Sequence, residues 1–188
     1  RSLTPHLDCC PHKFTETFKP ISKWRPIQSF VALTDTLGEN EGGFECVPGF
    51  QRKFKEWAKN RKDGKFDGRI VPPPCVGDFT PIRPKEDEAI LKQVRHIPIR
   101  AGSAVFWDVR IPHSNSLSNL SKSPRAVVYT GLLPHTSMNE RFAQRQLELY
   151  REQIIPSDMW VGPEKKESCK RFEFSELGRK LMTIDKWN

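Results

Sequence analysis

The chain has 188 residues, which is enough for one domain with a buried core but not comfortably for two. Hydrophobic residues make up 36% and charged residues 29% of the chain, a balance that predicts a globular protein with extensive surface loops. No apolar run approaches the roughly 18 residues that span a bilayer, and no signal-peptide pattern opens the chain. Neither a membrane span nor a secretory leader is therefore predicted.

The net charge of +8 is concentrated between Arg52 and Arg69, where eight basic residues accompany three acidic ones. One interpretation is a solvated surface loop. The alternative is a platform for an acidic substrate, a phosphate-bearing acyl carrier or nucleic acid. The segment lacks the interleaved aromatic residues of single-strand binding surfaces, so nucleic acid is the least favoured of these partners.

The five cysteines are Cys9, Cys10, Cys46, Cys75 and Cys169. Their number is odd and no C-x-x-C pair occurs, which disfavours both a zinc ribbon and a disulfide framework. The cysteines therefore predict a reducing compartment inside the cell, such as the cytoplasm.

The first predicted strand covers Ile27 to Thr34, and its apolar side chains fall on both faces, so we expect it to be buried on both sides. Phe50, Phe54 and Trp57 then recur at helical spacing and predict a short amphipathic helix that leads into the basic segment.

A second group of strands is predicted at His96–Ile99, Ala104–Val109 and Arg125–Leu132. From Asn139 to Ile155 the apolar period becomes that of a helix, and another short helix is predicted over Ser175–Met182.

These elements predict a mainly β fold with flanking helices, of the double-stranded β-helix type that forms jelly-roll, cupin-like barrels. Residues 1–135 would be the C-terminal portion of the barrel, with a basic insertion at about 51–92. Residues 136–188 would be a C-terminal helical extension that packs on the barrel.

The candidate metal ligands begin with the triplet His6-Leu7-Asp8. Residues i and i+2 of a strand point to the same face, so His6 and Asp8 are able to aim an imidazole and a carboxylate into a barrel. His113, which follows the strand Ala104–Val109, is the best candidate for a third ligand. Two histidines and one carboxylate form the facial triad of non-haem iron oxygenases, which leaves positions open for other ligands.

A candidate anion-binding residue is Arg125, which opens the next strand. Strand alternation places Arg125, Val127 and Tyr129 on one face. An arginine that points into a barrel requires an anionic partner, and its planar fork suits a carboxylate. A surface arginine at the end of a strand is the alternative.

Three stretches resemble the phytanoyl-CoA dioxygenase family of Fe(II)/2-oxoglutarate-dependent oxygenases. "PHLD" supplies the H-x-D triplet, and "PIQSFVALTDTLGENEGGFECVPGF" is similar to the family's strand, glycine turn and following segment. "IPIRAGSAVFWDVRIPHSNSLSNLSKSPRAVVYTG" is similar to the block that carries its distal histidine and arginine. The resemblance runs from about Pro5 to Gly131, and the blocks occur in the family's order.

The resemblance implies that His6, Asp8 and His113 bind Fe(II) and that Arg125 binds the distal carboxylate of 2-oxoglutarate. Gln28 would contact the other end of this co-substrate, or else serve as a core glutamine bonded to the backbone. The implied reaction uses O₂ and 2-oxoglutarate to hydroxylate a small organic or acyl substrate, with release of succinate and CO₂.

Three features of the site region add expectations. Asp8 fills the position that a halide takes in related halogenases, so hydroxylation is favoured over chlorination. Ser114 stands where the family usually has glycine, which predicts less room near the metal. Cys9 and Cys10, directly after the triplet, are expected to be packing residues, with oxidation-prone thiols as the alternative.

Only five residues precede His6, whereas the family normally has helices and at least one strand there. A strand that carries inward ligands needs bonded neighbours on both sides. We therefore expect a missing N-terminal segment, or a second chain, to complete the barrel.

Two other functions remain open at the level of the sequence. The first is a catalytically silent barrel that acts as a binding or structural subunit. The second is an oxygenase that modifies nucleic acid, which is motivated by the basic segment alone.

Overall fold

The structure is a computed structural model, and it describes residues 4–11, 26–60, 65–66, 69–70, 79–154 and 173–187. The chain divides into two compact units. The first comprises Arg1–Ile21 and Arg25–Leu132, and the second comprises Ser22–Trp24 and Leu133–Asn188. Among the described residues, no helix has both the length and the apolar character needed to cross a membrane.

The strands are short, as the many turn residues of the sequence predict. In chain order they are β1 (His6–Leu7), β2 (Ile27–Ala32), β3 (Phe44–Cys46), β4 (Lys65–Phe66), β5 (Arg69–Ile70), β6 (Thr80–Pro81), β7 (Arg95–His96), β8 (Ala104–Asp108), β9 (His113–Asn115) and β10 (Val127–Gly131). A 3₁₀ helix (Phe50–Arg52) and four α-helices accompany them, namely α1 (Phe54–Asn60), α2 (Glu88–Leu91), α3 (Ser137–Glu152) and α4 (Glu176–Leu181).

The strands form antiparallel sheets. Five of them make one sheet in the order β6-β1-β9-β3-β7, three make a second sheet in the order β10-β2-β8, and β4 pairs with β5. In the second sheet, Gln28 of β2 lies opposite Trp107 of β8 and Gly131 of β10. The edge strand β6 contains Pro81, a residue that a sheet tolerates at its edge because it offers no N–H to a further strand.

An aromatic cluster joins the inner faces of the two larger sheets. Phe44 of β3 lies 5.7 Å from Phe30 of β2 and 4.9 Å from Trp107 of β8, measured between ring centroids. All three rings are buried, together with Ala32, Cys46 and Ile99. Aromatic pairs at these distances contribute beyond the area that they bury, so this cluster fixes the spacing of the two sheets.

A second apolar cluster lies on the other face of the five-stranded sheet, where Leu7 alternates with the inward-facing His6. The 3₁₀ helix and α1 contribute Phe50 and Phe54 to it, as the helical spacing of these residues predicts. The other buried members are Cys9, Val47, Ile82, Ile90 and Val109.

The mainly antiparallel β architecture with a few helices agrees with the sequence, but a closed barrel is not formed by the described strands. The edge strands of one large sheet pair with no strand of the other. Side-chain packing through the aromatic cluster, not a continuous hydrogen-bond ladder, therefore connects the two sheets.

The prediction that β2 is buried on both faces is wrong for part of the outer face. The inner side chains Gln28, Phe30 and Ala32 are buried. On the outer face Ser29 is buried and Val31 is half-buried, whereas Ile27 is 41% exposed. Leu33, just beyond the strand, is 56% exposed. An apolar residue on the outer face of a three-stranded sheet does not by itself specify a covering layer.

The expectation that β1 needs a further strand to pair with is also wrong. His6 lies opposite Pro81 of β6 on one side and opposite His113 of β9 on the other. Both edges of β1 are therefore occupied by strands of this chain, one of which comes from the predicted basic insertion.

The helices of the second unit follow the predicted pattern. In α3 the apolar residue Leu149 is buried, and Gln153 ends the helix in the left-handed conformation with φ 57°. In α4 the side chain of Ser175 accepts a hydrogen bond from the backbone N–H of Gly178, which caps the first turn.

In the described part of the basic segment the basic side chains are exposed, as expected for a solvated surface. Arg52, Lys53, Lys55 and Lys59 are all exposed on the 3₁₀ helix and α1, while Phe54 faces the core. The side chains of the remaining basic residues of this segment lie outside the described part of the chain.

The two cysteines after the metal triplet are both buried, as expected for packing residues. The thiol of Cys9 donates to the carbonyl oxygen of Val109 over 3.5 Å. Cys10, however, is disulfide-bonded, although the odd number of cysteines disfavoured a disulfide framework.

Candidate metal centre

Three side chains from the five-stranded sheet converge at one point. The antiparallel register of β1 and β9 places His6 directly opposite His113. Asp8 follows two residues after His6 and therefore lies on the same side of the strand. Leu7 points to the opposite side, where its burial in the second apolar cluster holds the strand in place.

One ligand atom from each of His6, Asp8 and His113 lies within 4.8 Å of the others. Nε2 of His6 is 3.6 Å from Oδ1 of Asp8, and Nε2 of His113 is 3.7 Å from Oδ2. An ion that sits about 2.0–2.2 Å from nitrogen and oxygen ligands bridges atoms separated by up to roughly 4 Å. The two histidine–carboxylate distances lie within this reach, which makes His6, Asp8 and His113 a candidate set of ligands for one metal ion.

Both imidazoles are oriented by backbone carbonyl groups. Nδ1 of His6 lies 2.8 Å from the carbonyl oxygen of Thr4, and Nδ1 of His113 lies 3.0 Å from that of Ile111. A carbonyl oxygen only accepts, so each Nδ1 carries the proton and donates it. Each Nε2 then presents a lone pair to the space between the three side chains, which is how metal-binding histidines are commonly fixed.

The charge states of Asp8 and His6 suit metal binding. Burial would raise the pKa of Asp8, but hydrogen bonding to His113 and Gln28, together with the positive charge that the two histidines carry when they are protonated at low pH, lowers it to about 2. Burial and the neighbouring His113 lower the pKa of His6. At neutral pH the site therefore holds an ionised carboxylate beside a neutral His6, and metal ligands need these deprotonated forms.

The side chain of Gln28 is hydrogen-bonded to the carboxylate of Asp8, a candidate metal ligand. Its Nε2 donates to Oδ2 of Asp8 over 2.5 Å. The amide must present nitrogen to Asp8, because its oxygen would meet a carboxylate that has no proton to share. The side-chain oxygen of Gln28 is buried and has no partner. Gln28 is thus a positioning residue for Asp8 and not a core glutamine bonded to the backbone.

Aromatic side chains surround the two imidazoles. The ring of Phe79 stacks on His6 at 5.0 Å, and the ring of Trp107 lies 5.1 Å from that of His113. Cys46 lies opposite His113 in the ladder, but burial raises the pKa of its thiol to about 11, so it stays protonated and is a poor ligand. Aromatic rings therefore border both imidazoles, and Asp8 is the charged candidate ligand among these side chains.

Arg125 reaches the same inter-sheet space from the end of the neighbouring strand. Its guanidinium carbon lies 5.4 Å from the centroid of the Phe30 ring. One terminal nitrogen, Nη2, is buried and has no hydrogen-bond partner among the described residues. Leaving a charged donor buried and unpaired is costly, so this nitrogen is a candidate donor to an anion.

Two side chains form the rim of this space. Tyr129 of β10 is 59% exposed, and its hydroxyl accepts a hydrogen bond from Nδ2 of Asn115, at the end of β9, over 3.4 Å. Ser114 does not narrow the site, contrary to expectation. Strand alternation turns its side chain away from the metal face, where its hydroxyl donates to Glu45 over 3.4 Å.

The structure therefore brings His6, Asp8, His113 and Gln28 together. Arg125 lies over Phe30, which contacts Trp107, the ring beside His113. The sequence analysis did not identify Trp107, although it lies in the correctly predicted strand β8. Its position opposite the inward-facing Gln28 was the signal that could have marked it.

A comparison with protein families identifies the family of the chain. The sequence signature of the Gig2-like family matches residues 12–180, which is most of the chain. The chain belongs to the Gig2-like family. The matched residues include Gln28, His113 and Arg125, and they begin shortly after Asp8.

Relatives of this Gig2-like protein connect it to the expected oxygenase family. A Dictyostelium discoideum protein named "Putative phytanoyl-CoA dioxygenase" is 26% identical over 160 residues, which cover 85% of this chain and 39% of that protein. The sequence signature shows that the chain belongs to the Gig2-like family. The Dictyostelium protein supports a more distant relation to phytanoyl-CoA dioxygenases.

Solved structures support the fold. The crystal structure of GlcNAc inducible gene 2 from Candida albicans has a TM-score of 0.67 and 18% identity, covering 89% of this chain and 42% of its own. A hypothetical protein from Escherichia coli has a TM-score of 0.69 and 19% identity, covering 86% of this chain and 41% of its own. The Gig2-like chain thus spans about two fifths of the length of the relatives that it matches.

The converging ligands predict that the chain is stabilised by a divalent metal ion. Protein stripped with a chelator should unfold at a higher temperature when Fe(II) is added without oxygen, or when Mn(II) is added as a substitute. At a metal concentration of about 100 times Kd, the stabilisation is roughly 2.7 kcal/mol. Differential scanning calorimetry measures the shift.

The matched variants are His113→Ala and His135→Ala, since His135 is exposed. The first should abolish the metal-dependent shift and the second should leave it intact. A shift of equal size in both variants would place the metal elsewhere.

Proposed function

We propose that this Gig2-like chain carries the catalytic centre of an Fe(II)/2-oxoglutarate-dependent oxygenase that hydroxylates a small organic or acyl substrate. The observation that carries the proposal is the pairing of two features in one inter-sheet space. A set of two imidazoles and one carboxylate lies within 4.8 Å, and a buried guanidinium nitrogen without a partner lies beside the same aromatic cluster.

The donor set of His6, Asp8 and His113 fits Fe(II). Imidazole and carboxylate ligands suit this ion, and three protein ligands leave further coordination positions open. In the proposed centre, iron with bound 2-oxoglutarate would supply the oxidising chemistry, converting O₂ and 2-oxoglutarate to succinate and CO₂ as the substrate is hydroxylated. The protein's own part is to hold the ligands, exclude water and bind the co-substrate.

Arg125 is the proposed anchor of the distal carboxylate of 2-oxoglutarate. Its Nη2 is buried without a partner, and a carboxylate would accept from the planar guanidinium fork through two parallel hydrogen bonds. The ring of Phe30 beneath the guanidinium limits its movement. The same residue thus combines a fixed position with an unused donor.

Gln28 has two proposed roles in this centre. One N–H of its amide holds Oδ2 of Asp8, which leaves the other carboxylate oxygen, Oδ1, to face the metal position. The second N–H of the same amide is the donor that would contact the metal-proximal end of 2-oxoglutarate. Asp8 itself, by occupying a ligand position, would direct the centre to hydroxylation and not to chlorination.

We also propose that the two facing sheets form the C-terminal part of a double-stranded β-helix, with residues 136–188 as its helical extension. Two antiparallel sheets that enclose a metal site between their inner faces are the architecture of such folds. The chain would then share the activity of phytanoyl-CoA dioxygenases.

The role of Arg125 predicts a specific loss of co-substrate binding. Arg125→Lys keeps the charge but removes the fork, so the affinity for 2-oxoglutarate should fall by about 1.5–3 kcal/mol, the contribution of a charged hydrogen bond. Isothermal titration of the Mn(II)-loaded protein without oxygen measures this change.

Arg100→Lys is the matched control because Arg100 is exposed. It should bind 2-oxoglutarate as the unaltered chain does. Equal affinities in the Arg125 and Arg100 variants would exclude the anchoring role.

The proposed activity is tested by the turnover of 2-oxoglutarate. The chain, supplied with Fe(II), ascorbate and O₂, should form succinate even without its proper substrate, at a slow uncoupled rate. Asp8→Ala should abolish succinate formation, since one of three metal ligands is lost. Asp35→Ala removes an exposed carboxylate and should not change it.

Succinate formation at the same rate in the Asp8 variant would contradict the triad. A chain that binds metal and 2-oxoglutarate yet forms no succinate would favour the silent binding subunit that the sequence left open.

A further inference from the structure

Trp107 is a buried side chain whose polar atom has no hydrogen-bond partner in the part of the chain that the structure describes. It lies in the middle of the inner face of β8 and is 7% exposed. Its ring packs against Phe30, Phe44 and His113, with centroid distances of 5.8, 4.9 and 5.1 Å. The indole nitrogen, Nε1, is buried and makes no hydrogen bond.

An indole N–H is a donor only, so it needs an oxygen or another acceptor. Buried tryptophans usually find one, and this protein provides an example. Nε1 of Trp57 donates to Oδ1 of Asp87 over 2.9 Å in the other apolar cluster. Trp107 therefore differs from a core tryptophan, whose nitrogen is bonded within the protein.

The nearest candidate acceptor within the sheet does not satisfy Trp107. Gln28 lies directly opposite in the ladder, and its side-chain oxygen is also buried and unbonded. A hydrogen bond between the two side chains would satisfy both atoms, but the structure does not contain it. The two unbonded atoms belong to residues that lie opposite each other, and both are candidates for hydrogen bonds to a molecule that the protein binds.

The position of the indole indicates which class of molecule would bind there. Trp107 neighbours His113, a residue of the metal triad, and Phe30, the ring over which the Arg125 guanidinium lies. Two unused donors, one neutral and one cationic, therefore border the same aromatic ring. Two separate donors of this kind match a ligand with oxygen acceptors at both ends, which is a dicarboxylate.

We propose that Trp107 is a ligand-binding residue whose indole N–H donates to an oxygen of the oxo-acid end of the bound dicarboxylate. Arg125 holds the other end of the same molecule. This inference rests on the proposed function, and it adds a residue that sets the orientation of the co-substrate. Because the indole is fixed between Phe30 and Phe44, its donor direction is set before the ligand binds.

The sharpest test removes the donor and keeps the ring. Benzothienylalanine at position 107 replaces the indole N–H with sulfur at nearly the same shape, and Trp107→Phe is a simpler second variant. The probe is 2-oxoglutarate, titrated without oxygen into the Mn(II)-loaded protein. Kd should rise about tenfold or more in both variants, the effect of losing a hydrogen bond to a charged group.

Two further measurements separate this role from a structural one. The affinity for Mn(II) alone should change by less than about twofold, since the metal ligands are untouched. Trp187→Phe is the matched control because Trp187 is 60% exposed, and it should bind 2-oxoglutarate normally.

The possible failures are distinguishable. If the unaltered chain binds neither Mn(II) nor 2-oxoglutarate, the proposed function fails and the inference fails with it. If the unaltered chain binds both, and the benzothienylalanine variant binds 2-oxoglutarate with unchanged Kd, only the role of Trp107 is overturned. Its nitrogen would then face a buried water.

Discussion

The pairing register between β1 and β9 is the constraint on which the site depends. It places His6 directly opposite His113, so that both imidazoles point to the inner face of the sheet. A slip of one residue would turn Leu7 inward and His6 toward the apolar cluster on the other face. The burial of Leu7 in that cluster therefore does more than stabilise the fold, because it also specifies the register that assembles the metal ligands.

The inner face carries more polar groups than a packing core requires. Buried polar atoms are almost always bonded, yet Gln28, Trp107 and Arg125 each have a side-chain atom without a partner there. Such atoms lower stability unless a ligand completes them. Their concentration around the aromatic cluster, next to a carboxylate whose pKa is lowered to about 2, is the physical reason to regard this region as a binding site.

Local periodicity predicted much of the site, because residues on one strand face follow from the sequence alone. It identified His6, Asp8 and His113 as candidates and placed Gln28 on the inner face. Local periodicity does not predict which distant strands pair with each other. The two-residue strand β6 contains Pro81 and lies within the predicted insertion, so its pairing with β1 had no local signal. Burial also depends on the opposite sheet. The exposure of Ile27 on β2 and the burial of Trp107 were therefore not predicted.

The central claim is that one metal ion is held by His6, Asp8 and His113. Anomalous diffraction from crystals of the chain grown with Mn(II) or, without oxygen, Fe(II) tests it most directly. The account predicts a single strong anomalous peak at about 2.0–2.2 Å from Nε2 of each histidine and from one oxygen of Asp8, by analogy with other nitrogen and oxygen ligands. A metal peak bound elsewhere, with these three side chains bonded only to one another, would contradict it.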